Sequence, residues 1–366
     1  MELFKYMAQH NHEEVVFWSD KETGLKAIVA IHSTVLGPAL GGTRMWLYPT
    51  EEEALLDALR LSEGMTYKAS VAGLNLGGGK AVIIGDPAKE KSEALFRAYG
   101  RFVNSLGGKY ITAEDVGTTV ADMGIVHQET RYVTGLSRAE HGSGDPSPMT
   151  AFGVYRGMKA CAQARFGDDS LKGRRVAVQG LGKVGYHLVK HLVEEGAEVI
   201  ATEINRQRAV QVQAELGVQL VEADAIYDVD CDIFAPCALG AILNDDTLPR
   251  LRCRIVAGSA NNQLAEDRHG VALMERGILY APDYVINAGG LINVATELGA
   301  YDAKEAWNKT AAIYDTILRV IALAEEEDIP TNIAAHRLAQ ARIEMEKHKR
   351  QEMRSANGQP SLHLQR

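Results

Sequence analysis

Cysteine is scarce: four residues in a chain of 366, at Cys161, Cys231, Cys237 and Cys253, with no CxxC spacing. That excludes a disulfide framework and the paired-cysteine metal and redox motifs, and leaves reduced, mostly buried thiols. Long apolar runs are missing too. None approaches the ~20 residues that cross a bilayer, and the start, MELFKYMAQH, lacks the basic end and apolar core of a signal peptide. Positive charge is in deficit: 39 Lys and Arg against 48 Asp and Glu give a formal net charge of −9. This argues against nucleic acid or an anionic membrane as a partner. The basic run of Lys347, Lys349, Arg350 and Arg354 then reads as a solvated helix face. There is no GxSxG nucleophile elbow, internal repeat or low-complexity tract. His187 and His191 stand at i, i+4, but Leu188 replaces the glutamate of HExxH, so they read as surface histidines. His10 and His12 flank Asn11 with no third ligand in view. No metal is expected, and the chain reads as a cytoplasmic protein.

What is present is ordinary globular stock, 46% hydrophobic and 24% charged over 366 residues, enough for two domains with a core each. The stretch GLNLGGGKAVIIGDP (73–87) stands out. Three glycines, Gly77 to Gly79, lead into Lys80, and the apolar run Ala81 to Ile84 reads as a buried strand. A second lysine, Lys68, lies twelve residues upstream in MTYKAS. Glycines let a small ligand approach the backbone, and a lysine buried beside another cation has a depressed pKa, fit for a base near neutral pH. A glycine-rich turn before a solvated lysine is the other reading. A phosphate loop fails, because Leu74 stands where its first glycine belongs and Ala81 follows the lysine.

Around this stretch the first part of the chain reads as mixed α/β. Val15 to Trp18 and Leu25 to Ile31 flank DKETG as a hairpin. LGPALGGTRM, with Gly37, Gly41 and Gly42, reads as a second flexible loop, and Thr50 with Glu53 as a capping box. A helix is expected over about Ser92 to Leu106, and a short strand over Lys109 to Thr112, leaving Glu114 and Asp115 in a loop. HGSGDPSP (141–148) has the composition of a hinge.

After the hinge the chemistry changes. A strand over Arg175 to Val178 runs into GLGKVG, with Gly180, Gly182 and Gly185. A helix follows, then a strand over Glu198 to Thr202 that ends on Glu203. Strand, glycine turn, helix, and an acid about twenty residues on form the dinucleotide fingerprint in its required context. The helix N-terminus, opened by Lys183 and Val184, would face the pyrophosphate. Glu203 would bond the ribose hydroxyls and repel a 2′-phosphate, favouring NAD, although Arg206 and Arg208 lie near. Further strands over Asp232 to Ala235, Arg254 to Ala257 and Ile278 to Ala281 end in the loops PCALGA, GSANNQ and PDYVINAGG, the strand ends where a cofactor binds. A long helix should stop before Pro330 and a last one begin near Thr331.

The motifs LGPALGGTR, MTYK, GLNLGGGK, TAEDVGTT, GLGKVG, IFAPCALG, GSANNQL and APDYVINAGG, in this order, resemble the amino-acid dehydrogenases of glutamate, leucine, valine and phenylalanine. They are most similar to those of the leucine-using branch. The resemblance implies a two-domain α/β fold: a mixed-sheet substrate and oligomerisation domain over residues 1–140, completed by a C-terminal helix over 331–366, and a Rossmann-type NAD domain over 141–330. The active site would lie in a cleft closed by domain rotation. It implies NAD-dependent, reversible oxidative deamination of L-leucine and other branched-chain amino acids, by a homo-oligomer of two to eight subunits. Lys68 would pair with the substrate carboxylate, Lys80 would activate water, and Asp115 would exchange protons with the nitrogen. Gly41 and Gly42 would approach the substrate through their backbone, and Asn262 would help hold it. Leu40, Ala113, Leu291 and Val294 would line the side-chain pocket. Thr150, Ala238, Asn262 and Asn287 would join the glycine turn in holding the cofactor.

Some positions depart from the branch. Its members often carry aspartate where this chain has Glu203. Ala113 is similar to leucine enzymes, whereas Leu291 occurs in phenylalanine enzymes, so a phenylalanine or broad hydrophobic amino-acid dehydrogenase is an alternative. Glutamate-using members carry a lysine in place of Leu40 and tend to a serine in place of Val294. A non-catalytic NAD-binding sensor would have no use for both Lys68 and Lys80.

Overall fold

The expected hairpin forms the edge of the first sheet. A short helix α1 (Leu3–His10) leads into β1 (Glu14–Asp20) and β2 (Leu25–Ser33), which pair antiparallel around DKETG. There follow β3 (Ala39–Trp46), α2 (Glu51–Val71), β4 (Gly77–Ile84), α3 (Glu93–Ser105), β5 (Tyr110–Glu114) and α4 (Val120–His127). The helix starts are written locally. Thr50 accepts a hydrogen bond from the Glu53 N–H, Ser92 from that of Leu95, and Thr119 with Asp122 closes a full capping box. The computed structural model describes residues 1–140, 142–299 and 301–356, so the last ten residues of the expected C-terminal helix, and His141 of the hinge segment, lie outside the described residues.

The first sheet has the order β1-β2-β4-β3-β5, antiparallel from β1 to β4 and parallel across β3, β4 and β5. Its two faces bury different helices. Ala54, Ala58 and Leu59 of α2 pack on Ile28, Ala30 and Val82, and Leu95, Phe96, Tyr99 and Phe102 of α3 on Leu25, Val29, Ala81 and Ile83. Strand alternation therefore sends Gly78 and Lys80 to the α2 face.

Here two expectations need correcting. Gly77, Gly78 and Gly79 open β4 itself, and Gly41 and Gly42 lie inside β3, so neither glycine stretch is a flexible loop. Glycine is needed for packing instead. A Cβ on Gly78 would fall 2.1 Å from the Thr66 nitrogen of α2, one on Gly77 1.9 Å from the Ser33 carbonyl oxygen, and one on Gly41 1.7 Å from the Gly79 carbonyl oxygen. Glu114 likewise ends β5, and the turn begins at Asp115.

The second part holds α5 (Ser147–Phe166), β6 (Arg175–Gln179), α6 (Lys183–Glu195), β7 (Glu198–Thr202), α7 (Arg206–Leu216), β8 (Gln219–Leu220), β9 (Ile233–Pro236) and β10 (Ile255–Val256). Then come α8 (Arg268–Glu275), β11 (Leu279–Tyr280), α9 (Asp283–Ile286), α10 (Gly289–Ala295), α11 (Ala303–Ala311), α12 (Ile313–Glu327) and α13 (Thr331–Ala356). Its sheet is wholly parallel in the order β11-β10-β9-β6-β7-β8, the doubly wound arrangement with a switch point between β6 and β9. β10 and β11 are shorter than expected because only two residues of each keep a paired register.

The contacts divide the chain into two compact units, Met1–Gly144 with the chain from Arg337 onward, and Asp145–His336. In the first unit α13 closes the end of α2. Ser70 Oγ donates to the Ala339 carbonyl at 2.7 Å, and Arg342 donates to the carbonyls of Ser70 and Leu74 at 3.1 and 2.7 Å. A cation thus satisfies the orphan carbonyls at a helix C-terminus. Among the described residues no helix is long and apolar enough to cross a membrane.

Candidate active site

In the first unit, the α2 face of the sheet gathers the chemistry. Lys80 is only 4% exposed, and its Nζ lies 2.9 Å from Asp115 Oδ1. Asp115 is placed by the turn after β5: its N–H donates to Thr118 Oγ1, whose hydroxyl donates to the Thr43 carbonyl, while the Val116 carbonyl accepts from Met45 N–H. Gly117 holds this turn at φ +80°, with no room for a Cβ against the Met45 carbonyl oxygen. The other Asp115 oxygen accepts from Arg44 Nε at 3.1 Å, and Arg44 Nη1 reaches Asp57 of α2 at 2.9 Å. Tyr48 donates to the same Asp57 oxygen at 2.6 Å.

The charges of this row bias one another. Burial pulls the Lys80 pKa below the ordinary lysine value and outweighs the opposing pull of Asp115. Burial acts to raise Asp115, but the cations Lys80 and Arg44 outweigh it and hold the carboxyl below its usual range. A neutral lysine beside a carboxylate can take a proton from water, and the carboxylate can pass one on.

Leu40 pairs with Gly78 and with Ile111, and Gly42 with Ala113, so alternation puts Leu40, Gly42 and Ala113 on the face that carries Lys80. Leu40 and Ala113 are buried. Lys68 stands half-buried in the last turn of α2, the helix that covers this face. Gly41 is spoken for differently: its carbonyl accepts from the Tyr110 hydroxyl.

In the second unit the glycine turn has the anatomy its spacing implies. Gly180 takes φ +99°, and a Cβ there would meet Ala238 at 2.7 Å, which brings the loops after β6 and β9 together at the switch point. A Cβ on Gly185 would fall 2.0 Å from the Gly180 carbonyl oxygen, so α6 packs tightly on the turn. Gly182, the N-cap of α6, has nothing within 4 Å of its Cβ position. That open side, beside the free N–H groups of a 13-residue helix, fits a diphosphate. Glu203 braces the turn, its oxygens accepting from Leu181 N–H at 2.8 Å and Asn205 N–H at 2.9 Å. Lys183 is exposed with Asp145 at 3.5 Å, and Val184 is half-buried.

The other expected cofactor contacts lie on the surrounding loops. Thr150, in the first turn of α5, donates to the Pro146 carbonyl at 3.0 Å and stands against Gly290. Asn287 is buried and donates to the Ser259 carbonyl at 3.1 Å and Asn261 Oδ1 at 2.8 Å. Asn262 is exposed in a left-handed turn, φ 51°, its carbonyl accepting from Ala241 N–H. Leu291 is buried and Val294 half-buried on α10.

Sequence reasoning passed over Arg44, Asp57 and Tyr48. The only signal was the arginine two residues past Gly42 in LGGTR. Nor did it join His32 to His10 and His12, although His32 donates through Nε2 to the His10 carbonyl and its ring lies 4.8 Å from that of His12. Among the described residues no group of acids, histidines and cysteines could hold a metal ion.

The sequence profile of the "Glu/Leu/Phe/Val dehydrogenase, dimerisation domain" matches residues 12–132, and that of "Glutamate/Leucine/Phenylalanine/Valine dehydrogenase" matches residues 142–203 and 202–350. The chain belongs to this family. It is an amino-acid dehydrogenase, a class that works with a nicotinamide cofactor. The leucine dehydrogenase of Thermoactinomyces intermedius is 63% identical over 345 residues, 94% of each chain. That of Geobacillus stearothermophilus is 62% identical over 344 residues, again 94% of each. Among solved structures, L-tryptophan dehydrogenase from Nostoc punctiforme superposes with a TM-score of 0.85 at 48% identity, covering 94% of this chain and 99% of that one. Membership gives the row Lys80–Asp115–Arg44 its context: a dehydrogenase that acts at an amine must also handle water and protons.

Proposed function

We propose that this dehydrogenase catalyses the reversible, NAD-linked oxidative deamination of L-leucine and other branched-chain amino acids. The observation that carries the reading is buried Lys80 paired with half-buried Asp115 at 2.9 Å. The turn of Gly180, Gly182 and Gly185 with Glu203 would hold NAD, which would supply the acceptor for the hydride of the substrate Cα. Neutral Lys80 then takes a proton from water as its oxygen bonds to the iminium carbon. Asp115 takes that proton from Lys80 and carries it to the nitrogen. Lys80, neutral again, takes the proton of the new hydroxyl as the C–O bond becomes double and the C–N bond breaks, leaving 4-methyl-2-oxopentanoate and ammonia. Lys68 pairs with the substrate carboxylate and keeps it oriented through these steps. A sensor of NAD would gain nothing from a base buried at such cost.

Glu203 supports NAD over NADP. Its carboxylate already serves two backbone N–H groups and has lone pairs left for ribose hydroxyls, while a 2′-phosphate there would meet like charge. Arg208 is engaged elsewhere, its Nε on the Leu181 carbonyl at 3.0 Å and its guanidinium over the Tyr186 ring. Leu40 and Ala113, buried on the face that carries Lys80, support an aliphatic substrate side chain. A branched side chain gains roughly 1.5–3 kcal/mol from burial, whereas the far carboxylate of glutamate would be stripped of water without a partner. A second reading, preference for an aromatic side chain, draws on Leu291 and on the tryptophan-using relative. In the cell we expect a cytoplasmic homo-oligomer.

Initial rates of NADH formation from leucine, valine, isoleucine, phenylalanine and glutamate test the reading, repeated with NADP and with Leu40→Lys. Leucine should exceed glutamate by a wide margin in kcat/KM, and Leu40→Lys should narrow it. Comparable parent rates on the two would defeat the assignment of the pocket, and phenylalanine ahead of all aliphatic substrates would favour the second reading.

A further inference from the structure

We propose that Arg44 is the positioning residue of this site, a fixed cation whose fork ties the proton-carrying Asp115 to Asp57 on α2. The inference rests on the reading of Lys80 and Asp115 above. Four contacts run in one row: Lys80 Nζ to Asp115 Oδ1 at 2.9 Å, Asp115 Oδ2 to Arg44 Nε at 3.1 Å, Arg44 Nη1 to Asp57 Oδ2 at 2.9 Å, and Tyr48 Oη to the same Asp57 oxygen at 2.6 Å. Arg44 thus spends its planar donors on two different carboxylates, one on the loop after β5 and one on a helix.

The device meets a need of the reaction. Lys80 must pass between charged and neutral forms, and each time it becomes neutral Asp115 loses its nearest cation. An Asp115 paired with Lys80 alone would then rise in pKa and be free to rotate about its side-chain torsions. Arginine does not titrate in this range. It holds Oδ2 in place and returns Asp115 to its charged form between proton transfers, so that Oδ1 keeps one direction for the lysine and the substrate nitrogen. Asp57, packed under Tyr48, in turn keeps Arg44 from folding over onto Lys80. Both side chains of the Arg44–Asp57 pair are about a quarter exposed, so the row is reachable by water at this end and shielded at the Lys80 end, where only 5% of the side chain is open. A lysine in place of Arg44 would bring a charge but could not span the two carboxylates with fixed geometry.

The test uses the full-length enzyme, with leucine turnover and NADH binding measured across pH for the parent, Arg44→Met, Arg44→Lys and Asp57→Asn. Arg44→Met should lower kcat by about 10–100-fold, the range for outer partners of reacting groups. It should leave NADH affinity unchanged and move the alkaline limb of the pH–rate profile upward. Arg44→Lys should restore the limb and not the rate. Asp57→Asn should move the limb the other way, because Asp57 raises the Lys80 pKa where Arg44 lowers it. If Arg44→Met does not fold, the remaining two variants decide. A rate loss with an unmoved limb in both charge-changing variants would make the row a mere fold cross-link, and a parental rate in Arg44→Lys would also overturn the proposal. A parent without leucine turnover would instead defeat the underlying reading, and the positioning role with it.

Discussion

Lys80 is a cation in a place that penalises cations. Burial lowers its pKa, the Asp115 carboxylate 2.9 Å away pulls it back, and burial prevails. The sign of the pH effect follows. A lysine with a lowered pKa is neutral over more of the alkaline range, and the base is active only when neutral. Oxidative deamination should therefore speed up as pH rises, with a midpoint below the ~10.4 of a free lysine. A rate flat from pH 7 to 10, with proton transfer rate-limiting, would contradict this. Lys80→Ala removes the proposed base and should cost about 10²–10⁴ in kcat, while NADH affinity should stay parental. Turnover within tenfold of the parent would rule Lys80 out as base. Lys68→Ala should act mainly on KM for the amino acid, since a carboxylate partner binds ground and transition states alike. An unchanged KM would remove Lys68 from that role. Both lysines and Asp115 were singled out in the sequence because short motifs carry them. Arg44 was not, because its partner lies 71 positions away and only the β3–β5 pairing brings them together.

β4 and α2 show what the glycines of an element do. Gly78 leaves no space for a Cβ beneath α2, whereas Gly64, within that same helix, has nothing within 4 Å of its Cβ position. Alanine should therefore have opposite effects at the two sites. Gly78→Ala forces the helix off the sheet and should destabilise by about 1–3 kcal/mol or more. Gly64→Ala adds no clash and should stabilise by about 0.5–1 kcal/mol through lost freedom in the unfolded chain. Denaturant midpoints of the two variants check the pair, and a shift of the same sign in both would mean that space is not what selects glycine here. The same physics explains what the sequence hid. Glu198–Thr202 was read with its observed bounds, and the GLGKVG turn fell between its strand and helix, because side-chain alternation and the glycine spacing are local. Gly77 to Gly79 read as a loop because strands disfavour glycine and side chains are needed to see a period of two. What demands them are neighbours distant in sequence, α2 at Gly78, the Ser33 carbonyl of β2 at Gly77 and the Tyr110 ring of β5 at Gly79, and these are tertiary facts.

At the scale of the whole molecule, acid should unfold this protein through buried imidazoles before charge repulsion can. The net charge of −9 shrinks on acidification toward the pI of about 5.7, so self-repulsion weakens at first. The histidine nest under α1 behaves otherwise. His32 is buried, its Nε2 donates to the His10 carbonyl at 2.8 Å, and its Nδ1 faces the Thr66 hydroxyl. His12 donates through Nε2 to the Leu59 carbonyl, which leaves a bare, buried Nδ1 without a partner. Tyr6, Tyr67, His10, Glu63 and Lys347 complete the ionisable surroundings. Burial pulls His12 down and His32 down to about 4, with the neighbouring histidines adding to the shift. The unfolded chain therefore binds protons that the folded chain refuses between about pH 6.5 and 4. Stability from these groups is intact above that window and drains as pH falls through it, by the order of 3 kcal/mol for His32 alone. His32→Gln keeps one of the ring's two hydrogen bonds and cannot be charged. Melting temperatures at intervals from pH 7.5 to 4.5 should fall less steeply for this variant than for the parent, although its value at pH 7.5 starts lower. Parallel curves would show that the acid limb belongs to surface carboxylates, and that the nest under α1 is only packing.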